Sequence, residues 1–183
     1  MLREGRGWTS ASLRWAPLFS ILPAMQSVRL DATDRRILEI LQAEGRLPNA
    51  RIAERVGLSP PSVHERIRKL EAKGVIRGYA AMIDGARVGL RTEVYVAVAL
   101  SLHRRERIEE FRTAILAMPQ VLECHHLTGE EDFLLRIVVP EIGDYEDFLL
   151  HTLTRVEGVS KLKSAFVLST LKRDTRLPLP ESP

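Results

Sequence analysis

Seven basic side chains fall within residues 46–74 (Arg46, Arg51, Arg55, Arg66, Arg68, Lys69 and Lys73), against three acids, Glu54, Glu65 and Glu71. A net +4 over these 29 residues is the footprint of a surface that neutralises phosphates. Interleaved with the charges are Ser59, Pro61, Ser62, His64 and Glu65, candidate DNA-binding residues of which Ser62 and Glu65 could reach base edges in a major groove. Glu65 has the chemistry to accept from a cytosine amine. The other reading of the same residues is a solvated helix face on which Glu65 only pairs with Arg68 or Lys69.

Two more clusters invite a search for catalysis. Cys124, His125 and His126 are consecutive in a strand-like run, so their side chains alternate between faces and cannot chelate one metal together. A strand cysteine and satisfied histidines are the better reading. Glu130, Glu131 and Asp132 crowd a short loop after Gly129. They are a solvated turn or, with backbone amides exposed at the glycine, a receptor for an α-amino acid. No catalytic residue, metal ligand or resident cofactor is expected.

The elements that must position these groups are legible from spacing. Asp31 or Thr33 caps a helix with Ile37, Leu38, Ile40 and Leu41 on one side. Asn49 is placed as the cap of a two-turn helix over 50–56, closed by Gly57. Ser59-Pro60 restarts the chain as N-cap and first helical residue, and Val63, Ile67 and Leu70 recur at helical spacing up to Lys73-Gly74. Two helices across a glycine turn, the second opening on Ser-Pro, form a helix-turn-helix. Pro61, Ser62, Glu65, Arg68 and Lys69 then face outward, with His64 and Arg66 on the flanks. Ser62, Glu65 and Arg66 are the expected base readers, and Arg51, Arg68 and Lys69 the phosphate contacts.

Residues 77–84 read as a short strand, and 77–90 as a hinge able to pair with its counterpart in a second subunit. Alternation over Val94, Val96, Val98, Leu100 and Leu102 gives a strand, Arg105–Met118 an amphipathic helix, and Val121–Leu127 and Phe133–Val139 two more strands. A helix over Asp144–Val156 and a final strand over Val159–Leu171 complete βαββαβ. The fold class is therefore α+β, a winged helix-turn-helix followed by a ferredoxin-like sandwich whose open face is covered by another subunit.

Composition agrees with two modules. The 183 residues carry 27 basic and 24 acidic side chains, split as +2 over 1–24, +4 over 25–90 and −3 over 91–183. One cysteine excludes a disulfide framework, and no apolar run is long enough to span a bilayer. A location in the cytoplasm, on the nucleoid, is expected. Residues 1–24 read as a poorly ordered extension, with an Arg-rich presequence as the alternative, and Met25 is a second candidate start. The expected divisions are 1–24, 25–76, 77–90, 91–172 and a tail over 173–183.

Over residues 29–172 the chain resembles the leucine-responsive/asparagine-regulator (Lrp/AsnC) family of transcription factors. The resemblance rests on Leu30-Asp31-x-x-Asp34-x-x-Ile37-Leu38, Gly57-Leu58-Ser59-Pro60 and Arg66-Ile67-x-x-Leu70-Glu71-x-x-Gly74-Val75-Ile76-x-Gly78-Tyr79. It continues through Glu123-Cys124-His125, Thr128-Gly129-x-x-Asp132-Phe133-Leu134-Leu135, Val139-Pro140 and Gly158-Val159. It implies double-stranded DNA and an amino-acid effector as partners, and homodimers assembling into higher oligomers such as octamers. The effector would sit between dimers at Thr128, Gly129, Glu130 and Asp132, with Asp132 meeting the amino group. Ala165 and Phe166 match positions linked to ligand response or assembly. Glu130 stands where the family usually has Asp, and Glu131 where aromatic residues are frequent, which leaves leucine itself in doubt as the ligand. The same family fold occurs in sirohaem decarboxylases, an enzyme alternative that does not require a basic recognition helix. A stand-alone amino-acid sensor is the third reading.

Overall fold

The computed structural model describes residues 28–101 and 105–180; the readings that concern residues 1–24, Met25 and Leu102 lie outside the described residues. The described chain forms two compact units, one of residues 28–79 with 175–180 and one of residues 80–174.

Three helices build the first unit: α1 (Ala32–Ala43), α2 (Asn49–Val56) and α3 (Pro60–Ala72). Of the two caps available to α1 the chain uses Asp31, whose Oδ1 accepts from the Asp34 N–H at 2.7 Å. At α2 the expectation is corrected. Pro48 occupies the cap position and Asn49 is already helical, so the helix opens without a side-chain cap bond. So short a helix depends on what it buries, Ile52 and Ala53. Gly57 leaves α2 at φ 69°, a left-handed conformation that costs any residue with a Cβ, and the Leu58 N–H closes back on the Ala53 carbonyl. Ser59 then caps α3 by accepting from the Ser62 N–H at 3.3 Å, with Pro60 in the first turn. Ile37, Ile40, Ile52, Ala53, Val63 and Ile67 close the core between the three helices. Ala53 is 2% exposed, and its small side chain leaves α2 and α3 room to pack against each other.

The short strand expected at 77–84 is not present; the segment joins no ladder among the described residues and leaves Met82 and Ile83 exposed. Extended backbone without a neighbour to pair with has no hydrogen-bond reason to become a strand. Residues 175–180 lie with the first unit, where Gln42 on α1 grips the Leu177 backbone at both ends. Its Nε2 donates to the Leu177 carbonyl at 3.2 Å, and its Oε1 accepts from the Leu177 N–H at 2.6 Å.

The second unit comprises β1 (Thr92–Leu100), α4 (Arg105–Leu116), β2 (Val121–His126), β3 (Phe133–Val139), α5 (Ile142–His151) and β4 (Val159–Phe166). The strands form one antiparallel sheet in the order β2-β3-β1-β4, the ferredoxin-like arrangement. α5 is shorter than expected and gives way to a 3-10 turn over Leu153–Arg155, and β4 ends at Phe166 rather than at Leu171. Val94, Val96, Val98 and Leu100 of β1 alternate inward with Phe133, Leu135, Ile137 and Val139 of β3. They pack against Phe111 and Ile115 of α4 and Tyr145 and Phe148 of α5. The opposite face carries Tyr95, Ala97, Leu134 and Val138 around an ionic centre. There Arg136 Nε donates to Glu93 at 2.6 Å and its Nη1 to Glu123 at 2.8 Å, while Arg173 also binds Glu93. Desolvation works to raise the Glu93 carboxyl, but Arg136 and Arg173 together hold it below its ordinary value.

Candidate nucleic-acid interface and effector loop

The cap at Ser59 and the packing of Val63, Ile67 and Leu70 fix the rotation of α3, and that rotation decides which side chains meet solvent. Pro61, Ser62, His64, Arg68 and Lys69 are exposed, with Glu65 and Arg66 partly so. Pro61, Ser62, Glu65, Lys69 and Lys73 border a groove of about 600 Å³, with Asp34 and Arg66 also lining it. The surface bonds are local. Glu65 accepts from Arg68 Nε and Nη2, each at 3.0 Å, and lies 3.6 Å from the Lys69 ammonium. The Arg68 hydrogen bonds hold the Glu65 carboxyl below its usual range. His64 Nδ1 lies 3.4 Å from the Asn49 amide, and Arg51 pairs with Glu54 at 2.7 Å. Such exposed pairs are worth little and yield readily to a phosphate. Ser59 and Ser62 share a hydroxyl contact at 2.8 Å beside the cap.

Arg66 differs from its neighbours. Its Nη1 donates to Asp31 Oδ2 and to Asp34 Oδ1, each at 2.7 Å, across 35 and 32 positions of sequence. The expected base reader is thus bound to the first turn of α1.

In the second unit, the loop Thr128–Asp132 joins β2 to β3 and is anchored at both layers of its backbone. The Leu127 N–H donates to the Asp132 carbonyl, and the Asp132 N–H to the Val98 carbonyl, each at 2.8 Å. Asp132 Oδ2 accepts from the Leu100 N–H at 2.7 Å, so its carboxylate holds the loop to the end of β1. Thr128, Gly129 and Glu130 are exposed, and Gly129 takes φ 140°, a turn that a side chain disfavours.

The structure does not bring Ala165 and Phe166 to that loop within one chain. Phe166 pairs with Val94, four residues from Val98 and therefore about 13 Å along β1 from the Asp132 contact. Their side chains also separate. Phe166 meets Tyr145 edge-on at 5.3 Å on the helix side, whereas Ala165 pairs with Tyr95 on the other.

The histidines divide as the alternation requires. His125, opposite Leu134, contacts Glu123 at 3.2 Å, whereas His126 stacks on Phe133 on the other face. Cys124 is exposed, but partial desolvation pushes its thiol up to about 11, away from nucleophilic chemistry. Among the described residues no group of three or more His, Cys, Asp or Glu side chains is arranged to hold a metal ion, and no helix is long and apolar enough to cross a membrane.

Known proteins share this architecture. Residues 30–77 match the family described as winged helix-turn-helix DNA-binding, and residues 93–177 match the Lrp/AsnC ligand binding domain. The leucine-responsive regulatory protein of Escherichia coli (strain K12) is 36% identical over 148 residues, which cover 81% of this chain and 90% of that one. A transcriptional regulator of Neisseria meningitidis, solved as an L-Met complex, superposes with TM-score 0.79 at 37% identity, covering 82% of this chain and 97% of that one. An AsnC family transcriptional regulator from Agrobacterium tumefaciens gives TM-score 0.77 at 36% identity, with coverages of 81% and 97%. With its helix-turn-helix, its four-stranded sheet and these relatives, the chain belongs to the Lrp/AsnC family of transcriptional regulators.

Proposed function

We propose that this regulator binds double-stranded DNA through α3 and changes its binding or assembly when an amino acid occupies the Thr128–Asp132 loop. The observation that carries the reading is the exposed basic face of α3, set on its core by the Gly57 turn and the Ser59 cap. Ser62 and Glu65 are the residues offered to base edges, with Ser59, Pro61 and His64 beside them. Arg51, Arg68 and Lys69 supply the phosphate contacts. In the effector unit the Asp132 charge, fixed by its bond to Leu100, attracts an ammonium group, and the amides around Gly129 suit a carboxylate. Ala165 and Phe166 of the same chain lie too far along the sheet, so a site using them with the loop draws them from another copy. That supports homodimers assembled into higher oligomers, octamers among them, with the exposed hinge residues Met82 and Ile83 and the open sheet face as contact surfaces. Action on the nucleoid in the cytoplasm, without enzymatic turnover, follows from the same reading.

The test is a melting-temperature screen of the full chain against the twenty amino acids, followed by DNA binding with and without each hit. A ligand that binds the native state raises the melting temperature, and the same ligand must shift DNA affinity or oligomer size. Stabilisation by no amino acid would overturn the effector assignment. Tight stoichiometric sirohaem binding in an absorption titration would instead favour the enzyme reading.

A further inference from the structure

On the reading that α3 enters DNA, we infer that Arg66 is a positioning residue rather than a base reader: it orients the recognition helix by bridging Asp31 and Asp34 of α1. A single nitrogen, Nη1, makes both 2.7 Å contacts, so the guanidinium is used as a point donor between two carboxylates and not as a fork. Asp31 is itself divided between two tasks, its Oδ1 capping α1 at the Asp34 N–H and its Oδ2 receiving Arg66. The cap therefore fixes the acceptor, and the acceptor fixes the side chain that α3 sends across. Asp34 is 19% exposed and lies at the start of α1, so withdrawing the arginine would leave a partly buried carboxylate without this partner. To carry Nη1 to a base, Arg66 would give up two charge-assisted bonds for at most two new ones, with no gain to drive the exchange, and those two bonds fix where Nε and Nη2 lie. Glu65, Arg68 and Lys69 are different, because their mutual pairs lie on solvent and dissolve at little cost. Ser62 and Glu65, one turn apart on the same groove, are left as the readers, and Arg66 sets the angle at which they are presented.

The experiment selects duplexes from a random pool with the full-length wild type, then repeats the selection with Arg66→Ala, Arg66→Lys and Asp34→Asn. Each variant is assayed well below its own melting temperature, so that a folded population is compared throughout. Positioning requires Asp34→Asn to shift in the same direction as Arg66→Ala, since it leaves the arginine in place and removes only the charge of one of its two acceptors. Arg66→Ala should bind the wild-type motif about tenfold less well relative to random duplex and Asp34→Asn less well by a smaller factor, each with the preference flattened at every position. Arg66→Lys, which retains a single-nitrogen donor on a side chain one bond shorter, should recover part of the loss at all positions together. The inference is overturned if Arg66→Ala and Arg66→Lys lose preference at one base pair per half-site while Asp34→Asn keeps the whole motif, as a bidentate reader would require. Recovery of no motif by the wild type is a separate result, which removes the DNA-reading proposal and this inference with it.

Discussion

Asp31 and Arg66, 35 positions apart, are joined by a 2.7 Å bond from Nη1 to Oδ2, while the other oxygen of the same carboxylate caps α1. One side chain thus starts one helix and holds another. The Asp34 backbone bond, the largest influence, and the Arg66 contacts hold the Asp31 carboxyl below its ordinary value.

Asp31→Ala should cost about 1–2 kcal/mol, chiefly through the lost cap. Asp31→Asn keeps a capping oxygen and should lose less. Because the folded carboxyl titrates lower than the unfolded one, its contribution is present above the unfolded value near 3.8 and disappears as pH falls through the folded value. Urea unfolding between pH 7 and pH 3 checks this. The stability gap between wild type and Asp31→Ala must narrow only at the acid end; a gap that narrows on raising the pH would reject the assignment.

Asp132 combines anchoring with charge, and two substitutions separate them. Asp132→Asn retains an oxygen for the Leu100 N–H and should unfold within about 1 kcal/mol of wild type while losing the amino-acid response. Asp132→Ala should lose the response and destabilise the unit as well. Calorimetric titration with whichever amino acid stabilises the wild type is the measurement, and an unchanged affinity in Asp132→Asn would place the ammonium elsewhere.

Arg68→Ala should weaken binding to specific and unrelated duplexes alike and reduce the slope of log K against log salt by about 1. Glu65→Gln releases Arg68 and Lys69 from their shared acid, so its binding to unrelated duplex should tighten even as motif preference drops. A steeper loss on the motif than on unrelated DNA for Arg68→Ala would contradict a phosphate contact.

Cys124 is exposed, yet partial desolvation pushes its thiol up to about 11, so at pH 8 it should react with iodoacetamide more slowly in the native protein than in urea. Equal rates would show that the thiol is not desolvated in solution.

Much of this fold is written in short-range pattern. The Ser59-Pro60 start, the Gly57 turn and the alternation of Val94, Val96 and Val98 are each decided by atoms a few residues apart, so the sequence displays them. Asn49 misled because a good capping side chain does not cap when the preceding proline already supplies the extended backbone there. The partner of Arg66 was hidden for a different reason. Its acceptors lie a whole helical hairpin away, and three-dimensional packing, not periodicity, brings them within reach. Ala165 and Phe166, joined to the loop by the family resemblance alone, share a strand but face opposite sides at a distance from it within one chain.

The Gln42 grip on Leu177 has a consequence for the order of folding during synthesis. The helices of the DNA-binding unit open with α1 at Ala32, yet a segment hydrogen-bonded to them follows the effector unit. A ribosome that has released α1, α2 and α3 has made a three-helix body whose Gln42 amide still faces water, and residues 80–174 must emerge before that amide is matched. The nascent module therefore lacks two hydrogen bonds that the finished one has. The effector unit is made before the DNA-binding unit is complete.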